Sequence, residues 1–235
     1  WLDLLSAGLN CVLPGSRSKA GDAAEAAWTT DGRAFACLSV RSGLDLALKA
    51  LDLPAGSEVL VSALTIPDMV RIIEHHGLVA VPIDLHDEDV SPRVELLEKF
   101  VTKKTKAILV AQLFGGRFDL APFVEFARRH NLVLIEDCAQ AFEGDRYKGH
   151  DEADVSMFSF GPIKTATALG GAVFRVKDES LLARMRELQA GYPVQSRWFF
   201  LKRVLFYSVL KFLGGKLAFG LFVRTCRLLG KDFDE

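Results

Sequence analysis

The fold is decided by one stretch of the chain, Leu134 to Gly171, which reads LIEDCAQAFEGDRYKGHDEADVSMFSFGPIKTATALGG. It opens with an apolar run that ends in the acid Asp137. Lys164 follows 27 residues later, after Ser-Phe-Gly-Pro-Ile, and a Gly-Gly pair then leads into a second apolar run. Continuous apolar runs of this length predict strands buried on both faces, and ligands bind beyond the carboxyl ends of such strands. Asp137 is therefore predicted to lie at a ligand site.

The order of Asp137 and Lys164 is the order that a pyridoxal phosphate (PLP) site needs. A carboxylate keeps the pyridine nitrogen protonated, so that the ring acts as an electron sink, and a lysine amine holds the cofactor covalently and moves protons. Taken singly, the two residues have an ordinary interpretation as a strand-end acid and a surface lysine. Their joint order, together with the matching segments upstream that are described below, favours the cofactor site.

Working outward, residues 35–191 alternate short apolar runs with segments of helical periodicity. This alternation predicts an α/β fold with a mostly parallel central sheet and helices on both faces. Ser91 is predicted to cap a helix that has Pro92 at its first position, and Asp119 to cap the next one. Residues 1–34 are rich in Ala, Gly and Ser and are predicted to be an N-terminal arm with one helix near Trp28.

Composition narrows the class of protein. The 235 residues are 50% apolar and 25% charged, enough for one large domain, and the net charge of −1 gives no bulk attraction to nucleic acid. The four cysteines are scattered without a Cys-x-x-Cys pair or a histidine at ligand spacing. This pattern favours reduced thiols in a cytoplasmic protein over a disulfide framework or a metal site.

Residues 192–235 differ from the rest. From Arg197 to Lys231 the chain has eight Lys or Arg, no Asp or Glu, and seven Trp or Phe. Gly214-Gly215 is predicted to divide this segment into two basic amphipathic helices. Two interpretations stay open: the segment packs on its own domain or on a subunit partner, or it makes a peripheral contact with an anionic membrane or an acidic partner. It lacks the pattern of a nucleic-acid stacking module.

Several segments together carry a family resemblance. IEDCAQAF resembles the IEDAAQA segment of the DegT/DnrJ/EryC1/StrS sugar aminotransferases, and SFGPIKTATALGG is similar to their SFHxxKxxTxGEGG lysine segment. The segments RSGLDLALKAL, EVLVSALTI, VAVPIDL, TKAILVAQLFGG and FARRHNLVLIED follow the family's order upstream. The resemblance covers Phe35 to Gly191.

The resemblance implies the large domain of a fold-type-I, PLP-dependent transferase. The implied reaction transfers an amino group from an amino acid, with glutamate as the expected donor, to a nucleotide-linked keto-sugar of polysaccharide biosynthesis. It also implies a homodimer, because sites of this fold type lie between two subunits. Family members continue into a small C-terminal domain and an Asn-Tyr-Arg segment that are not found here, which predicts an incomplete protein with little activity by itself.

The resemblance also assigns roles around the cofactor ring. Asp137 matches the partner of the ring nitrogen, and Gln140 matches the residue that contacts the phenolic oxygen. Lys164 matches the cofactor lysine, where related dehydratases carry His, so that its presence favours transamination.

The cofactor phosphate is expected at a helix start, where free N–H groups and the helix dipole favour an anion. Ser42, Gly43 and Leu44 are predicted to open that helix, with Gly43 allowing close backbone approach. The family usually has Thr where Leu44 stands, so a hydroxyl contact is lost there. Ser159 matches the family's phosphate-binding serine.

Three departures from the family pattern keep other functions open. Ile66 stands where the family stacks an aromatic ring on the cofactor, and Gly161 replaces a common His. The segment from the lysine to the Gly-Gly pair is one residue shorter than in the family, so that Ala168-Leu169-Gly170-Gly171 stands in place of GEGG. The alternatives are a catalytically impaired PLP-binding regulatory or scaffold protein and another fold-type-I enzyme, such as a lyase or desulfurase.

Overall fold

Seven strands form one sheet in the computed structural model, which describes residues 1–229. Their bounds are β1 Ala34–Cys37, β2 Glu58–Ser62, β3 Val79–Ile83, β4 Thr105–Ala111, β5 Val133–Asp137, β6 Val155–Ser159 and β7 Ala172–Val176. The order in the sheet is β1-β7-β6-β5-β4-β2-β3. β7 runs antiparallel to both neighbours, whereas β5–β6, β4–β5, β2–β4 and β2–β3 are parallel pairs.

Nine helices are found within residues 1–229. Their bounds are α1 Leu2–Val12, α2 Arg17–Trp28, α3 Val40–Leu51, α4 Pro67–His75, α5 Val94–Phe100, α6 Ala121–His130, α7 Glu179–Ala190, α8 Arg197–Leu213 and α9 Lys216–Leu228. The chain divides into two compact units. One is Ser18–Tyr192, and the other combines Trp1–Arg17 with the described residues from Pro193 onward. The domain division at 34/35 and 191/192 stays a prediction.

The central strands are apolar on both faces because helices cover both faces. In β5, Ile135 packs with residues of α3, α4 and α7, while the adjacent Leu134 packs with residues of α5 and α6 on the opposite side. Leu109 and Ile108 of β4 divide in the same way. Alternate residues of a strand point to opposite faces, so an uninterrupted apolar run is what a doubly covered sheet requires. The predicted fold class is confirmed.

Local predictions outside the site are wrong at three places. Leu120, not Asp119, is the N-cap of α6, although Asp119 Oδ1 accepts the Ala121 N–H at 2.9 Å. Ser91 does not cap α5, because Pro92 is bridged to Leu85 in extended conformation and the helix begins only at Val94. The Ser91 hydroxyl instead donates to Asp89 Oδ1 at 2.6 Å in the preceding turn. In the N-terminal arm two helices, α1 and α2, stand where one was predicted.

The helices α8 and α9 are separated at Gly214-Gly215, as predicted. Within residues 1–229 no single helix is both long and apolar enough to cross a membrane. Taken together, α8 and α9 reach that length and composition, but they are bent by 66° at the break.

Candidate active site

The predicted site residues all follow strands that end at one edge of the sheet. In the strand register Asp137 of β5 lies between Ala111 of β4 and Met157 of β6. Ala172 of β7 pairs with Ser159 of β6 on one side and with Cys37 of β1 on the other. The loops after β1, β4, β5 and β6 therefore leave the sheet together, and the site lies wholly within Ser18–Tyr192.

Asp137 is the last residue of β5, and its side chain is almost buried, with 9% of the residue exposed. One carboxylate oxygen, Oδ1, accepts the N–H of Ala139 at 2.9 Å, and the described residues offer no further hydrogen bond to this side chain. Burial raises the pKa of Asp137 to about 6, although the Ala139 N–H and the charge of Lys164 both act to lower it. Asp137 thus keeps one acceptor oxygen available in a poorly hydrated place.

Lys164 lies five residues beyond β6 in a turn closed by its own N–H, which donates to the Gly161 carbonyl at 3.1 Å. A Cβ added at Gly161 would lie 3.8 Å from Ser159 Oγ and 3.9 Å from Lys164 Cγ, so both side chains pass the same point. Within residues 1–229 the Lys164 ammonium has neither a hydrogen bond nor an ion pair. Its positive charge nevertheless acts to lower the pKa of the Asp137 carboxyl. The structure therefore brings Asp137, Ser159 and Lys164 together.

Gln140 lies on the loop after β5 and bridges to the loop after β4. Its Oε1 accepts the N–H of Phe114 at 3.1 Å. Phe114 has a φ of 55° and the following Gly115 has a φ of 80°. The left-handed conformation is strained for Phe114 but costs a glycine nothing. No acceptor for the Gln140 amide N–H groups is found among the described residues, which leaves them free to donate to a ligand.

The start of α3 differs from the prediction. The helix begins at Val40 with Ser39 as its N-cap, and Ser39 and Ser42 form a reciprocal capping box. The Ser42 hydroxyl donates to the Ser39 carbonyl at 3.0 Å, so it is occupied within the helix start. The N–H groups of Val40 and Arg41 precede the first intrahelical bond and have no acceptor within residues 1–229. These two donors were missed, although the Ser-x-x-Ser spacing could have indicated them.

Gly43 and Leu44 serve packing. A Cβ at Gly43 would lie 2.3 Å from the Phe174 ring, so glycine is needed for α3 to pack against β7. The Gly43 N–H donates to the Ser39 carbonyl at 2.9 Å and is not available to a phosphate. Leu44 is fully buried in the core, so its side chain cannot contact a cofactor. The site predicted at Ser42-Gly43-Leu44 is corrected to the preceding turn.

Ile66 lies at the same edge, between β2 and α4. It is the N-cap residue of α4 and is 48% exposed. The start of α4 lies beside the start of α3, because Asp68 Oδ2 pairs with Arg41 Nη1 at 3.2 Å. An exposed aliphatic side chain therefore stands where an aromatic ring was expected from the family.

Beneath Asp137, a buried network surrounds Glu136. Gln112 Nε2 donates to its Oε1 at 3.2 Å, and Ser156 Oγ donates to its Oε2 at 2.9 Å. The His150 N–H donates to Oε2 at 3.0 Å, and the Tyr147 hydroxyl donates to Oε1. The predicted structural role of Glu136 is confirmed, but its partners could not be read from the sequence. Its charge also raises the pKa of Asp137.

Within residues 1–229, no three or more His, Cys, Asp or Glu side chains are grouped so that they could hold a metal ion. Cys138, next to Asp137, is fully buried, and burial raises its thiol pKa. The chemistry of this edge therefore rests on a carboxylate, an amine, an amide and free N–H groups.

The group that these residues fit is PLP. Asp137 offers an acceptor to a protonated ring nitrogen, Gln140 offers an amide donor, and Lys164 offers an unpaired amine. The free N–H groups at the start of α3 offer donors to a phosphate. A mostly parallel sheet with this donor set at its carboxyl edge defines the large domain of a fold-type-I transferase.

Comparison with known proteins agrees with this class. The chain belongs to the DegT/DnrJ/EryC1/StrS aminotransferase family, whose model matches residues 8–202. A GDP-perosamine synthase of Escherichia coli O157:H7 is 39% identical over 144 residues, which cover 60% of this chain and 39% of that protein. A GDP-perosamine synthase of Caulobacter vibrioides is 35% identical over 171 residues, 71% of this chain and 46% of that protein.

A solved aminotransferase from Psychrobacter cryohalolentis is similar in fold, with a TM-score of 0.69 at 28% identity. The match covers 78% of this chain and 49% of that one. The chain thus spans less than half the length of the two curated relatives and about half of this structure.

Proposed function

We propose that this chain carries the cofactor site of a PLP-dependent aminotransferase that moves an amino group from an amino acid to a nucleotide-linked keto-sugar. The observation that carries the proposal is that Asp137 ends β5 and Lys164 follows β6 at the same edge of the sheet. Burial raises the pKa of the Asp137 carboxyl, and the charge of Lys164 acts in the opposite direction. The nucleotide-sugar substrate rests on the names of the two curated relatives. Glutamate as donor, a homodimeric state and work in the cytoplasm belong to the same proposal.

PLP, when bound, supplies a conjugated ring that takes up the electrons of the bond being broken. Asp137 would hold a proton on the ring nitrogen through its free carboxylate oxygen, because with a pKa of about 6 it is ionised at neutral pH. Lys164 would hold the cofactor through Nζ, and its amine would carry a proton to or from the reacting carbon of the substrate.

The remaining residues bind and orient. The Gln140 amide would donate to the phenolic oxygen of the ring, and its hydrogen bond with the Phe114 N–H keeps the side chain in place. Ser159 Oγ and the N–H groups of Val40 and Arg41 would bind the phosphate. The capping box at Ser39 keeps those N–H groups directed outward.

A second candidate function follows from Ile66. Without a ring stacked on the cofactor, the chain binds PLP but does not position it for turnover, as in a regulatory or scaffold protein. A different fold-type-I chemistry, such as a lyase or desulfurase, is the enzymatic alternative.

The first test is cofactor attachment. PLP is added to the purified chain, absorbance is recorded, and the complex is reduced with borohydride before peptide mapping by mass spectrometry. We expect the label on Lys164 and its loss in Lys164→Ala. Lys148→Ala is the matched control, because Lys148 pairs with the exposed Asp145 at 2.9 Å outside the site. A label on another lysine would refute the assignment.

The second test separates the candidate functions. Glutamate is added to the PLP complex, and pyridoxamine phosphate and 2-oxoglutarate are measured. Their formation, followed by amination of a GDP-linked keto-sugar, supports the aminotransferase. PLP attachment without amine transfer supports the binding protein, and release of pyruvate or sulfide from other amino acids supports the lyase or desulfurase.

A further inference from the structure

The unit formed by α1, α8 and α9 shows an unusual surface. Helices α1 and α8 run antiparallel: Arg197 at the start of α8 donates to the Leu13 carbonyl at 2.7 Å, and Lys211 near its end lies 5.7 Å from the Trp1 ring. Val204 is buried where the helices meet, close to Gly8. Neither α1 nor α9 contains a buried residue. The packing of this unit therefore uses little of its apolar surface.

Helix α1 is apolar on two faces. Leu4, Ala7, Gly8 and Cys11 are half-buried on the side toward α8. An exposed stripe follows helical spacing on the other side and consists of Leu2, Leu5, Leu9 and Val12. A surface helix of a water-soluble protein normally has a polar face opposite its packed face. The second apolar stripe of α1 therefore indicates a non-aqueous neighbour.

Helices α8 and α9 extend this surface. Ten or more of their large apolar side chains are exposed, among them Trp198, Leu205, Phe206, Val209, Phe212, Leu213, Leu217, Leu221, Phe222 and Leu228. Leu217 and Leu228 are 92% and 88% exposed. Patches of this kind mark a protein–protein or membrane interaction site.

The charge of the unit is one-sided. Residues 193–229 contain seven Lys or Arg and no Asp or Glu. Three cations lie over aromatic rings: Lys202 over Trp198 at 5.7 Å, Arg203 over Phe199 at 5.2 Å, and Lys211 over Trp1. Long basic side chains lying beside Trp and Phe can extend toward a polar layer while the rings stay in an apolar one.

We propose that the α1–α8–α9 unit binds the surface of an anionic lipid bilayer, with its helices lying in the interface. Exposed aromatic and aliphatic side chains enter the headgroup and acyl boundary, and the cations meet acidic headgroups. Lys211 and Lys216 lie on either side of the break between α8 and α9, so a spanning arrangement would carry both into hydrocarbon at high cost. The 66° bend also fits helices that lie in the interface.

A second copy of the chain is a poorer occupant of this surface. A two-fold contact places the same patch on both partners, and here it would bring Lys and Arg against Lys and Arg. Asp3 is the one acid in α1, and α8 and α9 have none to offset those charges. An acidic protein would satisfy the charges but leaves the wide apolar area unexplained.

The test is vesicle flotation of the 235-residue chain. One set of vesicles is phosphatidylcholine alone, and the other contains about a third phosphatidylserine. We expect binding at least ten-fold stronger to the anionic set and weakened by salt. The triple substitution Lys202→Gln, Lys211→Gln and Lys216→Gln should weaken it by about 100-fold, since each cation contributes about 1 kcal/mol near such a surface.

A charge-matched control is available in the other unit. Lys99, Lys103 and Lys104 are exposed there, and their replacement by Gln should leave vesicle binding unchanged. Trp198→Ala tests the apolar contribution and should weaken binding to both sets, with circular dichroism as the check on folding.

Three outcomes would overturn the proposal: no vesicle binding, equal binding to both sets, or equal loss in the control variant. Concentration-dependent dimers that Trp198→Ala abolishes, without vesicle binding, would assign the surface to a second copy. None of these results depends on PLP.

Discussion

The replacement Asp137→Asn should stabilise the chain in the absence of PLP while impairing its chemistry. Burial raises the pKa of Asp137 from an ordinary 3.8 to about 6, so the ionised form is disfavoured in the folded state by about 3 kcal/mol, at 1.36 kcal/mol for each unit. Asn keeps the acceptor for the Ala139 N–H and removes the buried charge. At pH 8 the variant should therefore be more stable by about 3 kcal/mol.

The sign of the pH dependence follows from proton binding. Between the unfolded pKa of 3.8 and the folded pKa of about 6 the folded chain binds more protons than the unfolded chain, so the free energy of unfolding falls as pH rises. The stabilising effect of Asn should thus be absent below about pH 4, grow up to about pH 6, and stay constant above it.

The assay is urea unfolding of both proteins without PLP across this pH range. Asp119→Asn is the control, because Asp119 is an exposed acid that likewise accepts a backbone N–H, that of Ala121 at 2.9 Å. Its replacement should change the free energy of unfolding by no more than about 0.5 kcal/mol. A destabilised Asp137→Asn variant, or a difference that does not change with pH, would refute the reasoning. With PLP, the variant should still attach the cofactor through Lys164, yet with glutamate as amino donor it should convert PLP into pyridoxamine phosphate at least about 100-fold more slowly.

Two further substitutions test the packing around the site. Gly43→Ala should destabilise the chain by about 1–3 kcal/mol or more, because the new Cβ would lie 2.3 Å from the Phe174 ring. Gly21→Ala in α2 is the control: its Cβ meets nothing within 4 Å, so it should be neutral or stabilising by up to about 1 kcal/mol. Equal effects of the two substitutions in chemical denaturation would contradict this packing. Glu136→Gln should lower the free energy of unfolding by about 3 kcal/mol, because its amide N–H₂ would face at least one of the four groups that donate hydrogen bonds to Glu136. It should also lower the pKa of Asp137, because the charge of Glu136 raises that pKa. An unchanged denaturation midpoint would count against the network.

The fold could be predicted because its signal is local. Residues 133–135 and 172–174 are apolar throughout, and a strand covered on both faces needs little else from its own sequence. The placement of Asp137 and Lys164 followed in turn, because the carboxyl ends of parallel strands meet at one edge.

The start of α3 was less predictable. Ser42-Gly43 is a plausible helix opening by residue type, yet the capping box of Ser39 fixes the start three residues earlier. The glycine at 43 is explained by the ring of Phe174, more than a hundred residues later in the chain, which no local pattern contains. Helix α1 was missed because apolar residues on two faces obscure a helical period.

The position of β7 in the sheet also sets the order in which the site can be completed as the chain is made. Strand β1 emerges early, but its pairing in the sheet is with β7, where Ala34 meets Arg175, 141 residues later. Such distant pairings form slowly, because closing a long loop costs conformational entropy before any contact between the strands stabilises it. Until β7 is synthesised and inserts between β1 and β6, the start of α3 has no fixed place at the edge of the sheet where β5 and β6 end. The two parts of the proposed cofactor site, the start of α3 and the loops after β5 and β6, are therefore expected to come together only late in folding.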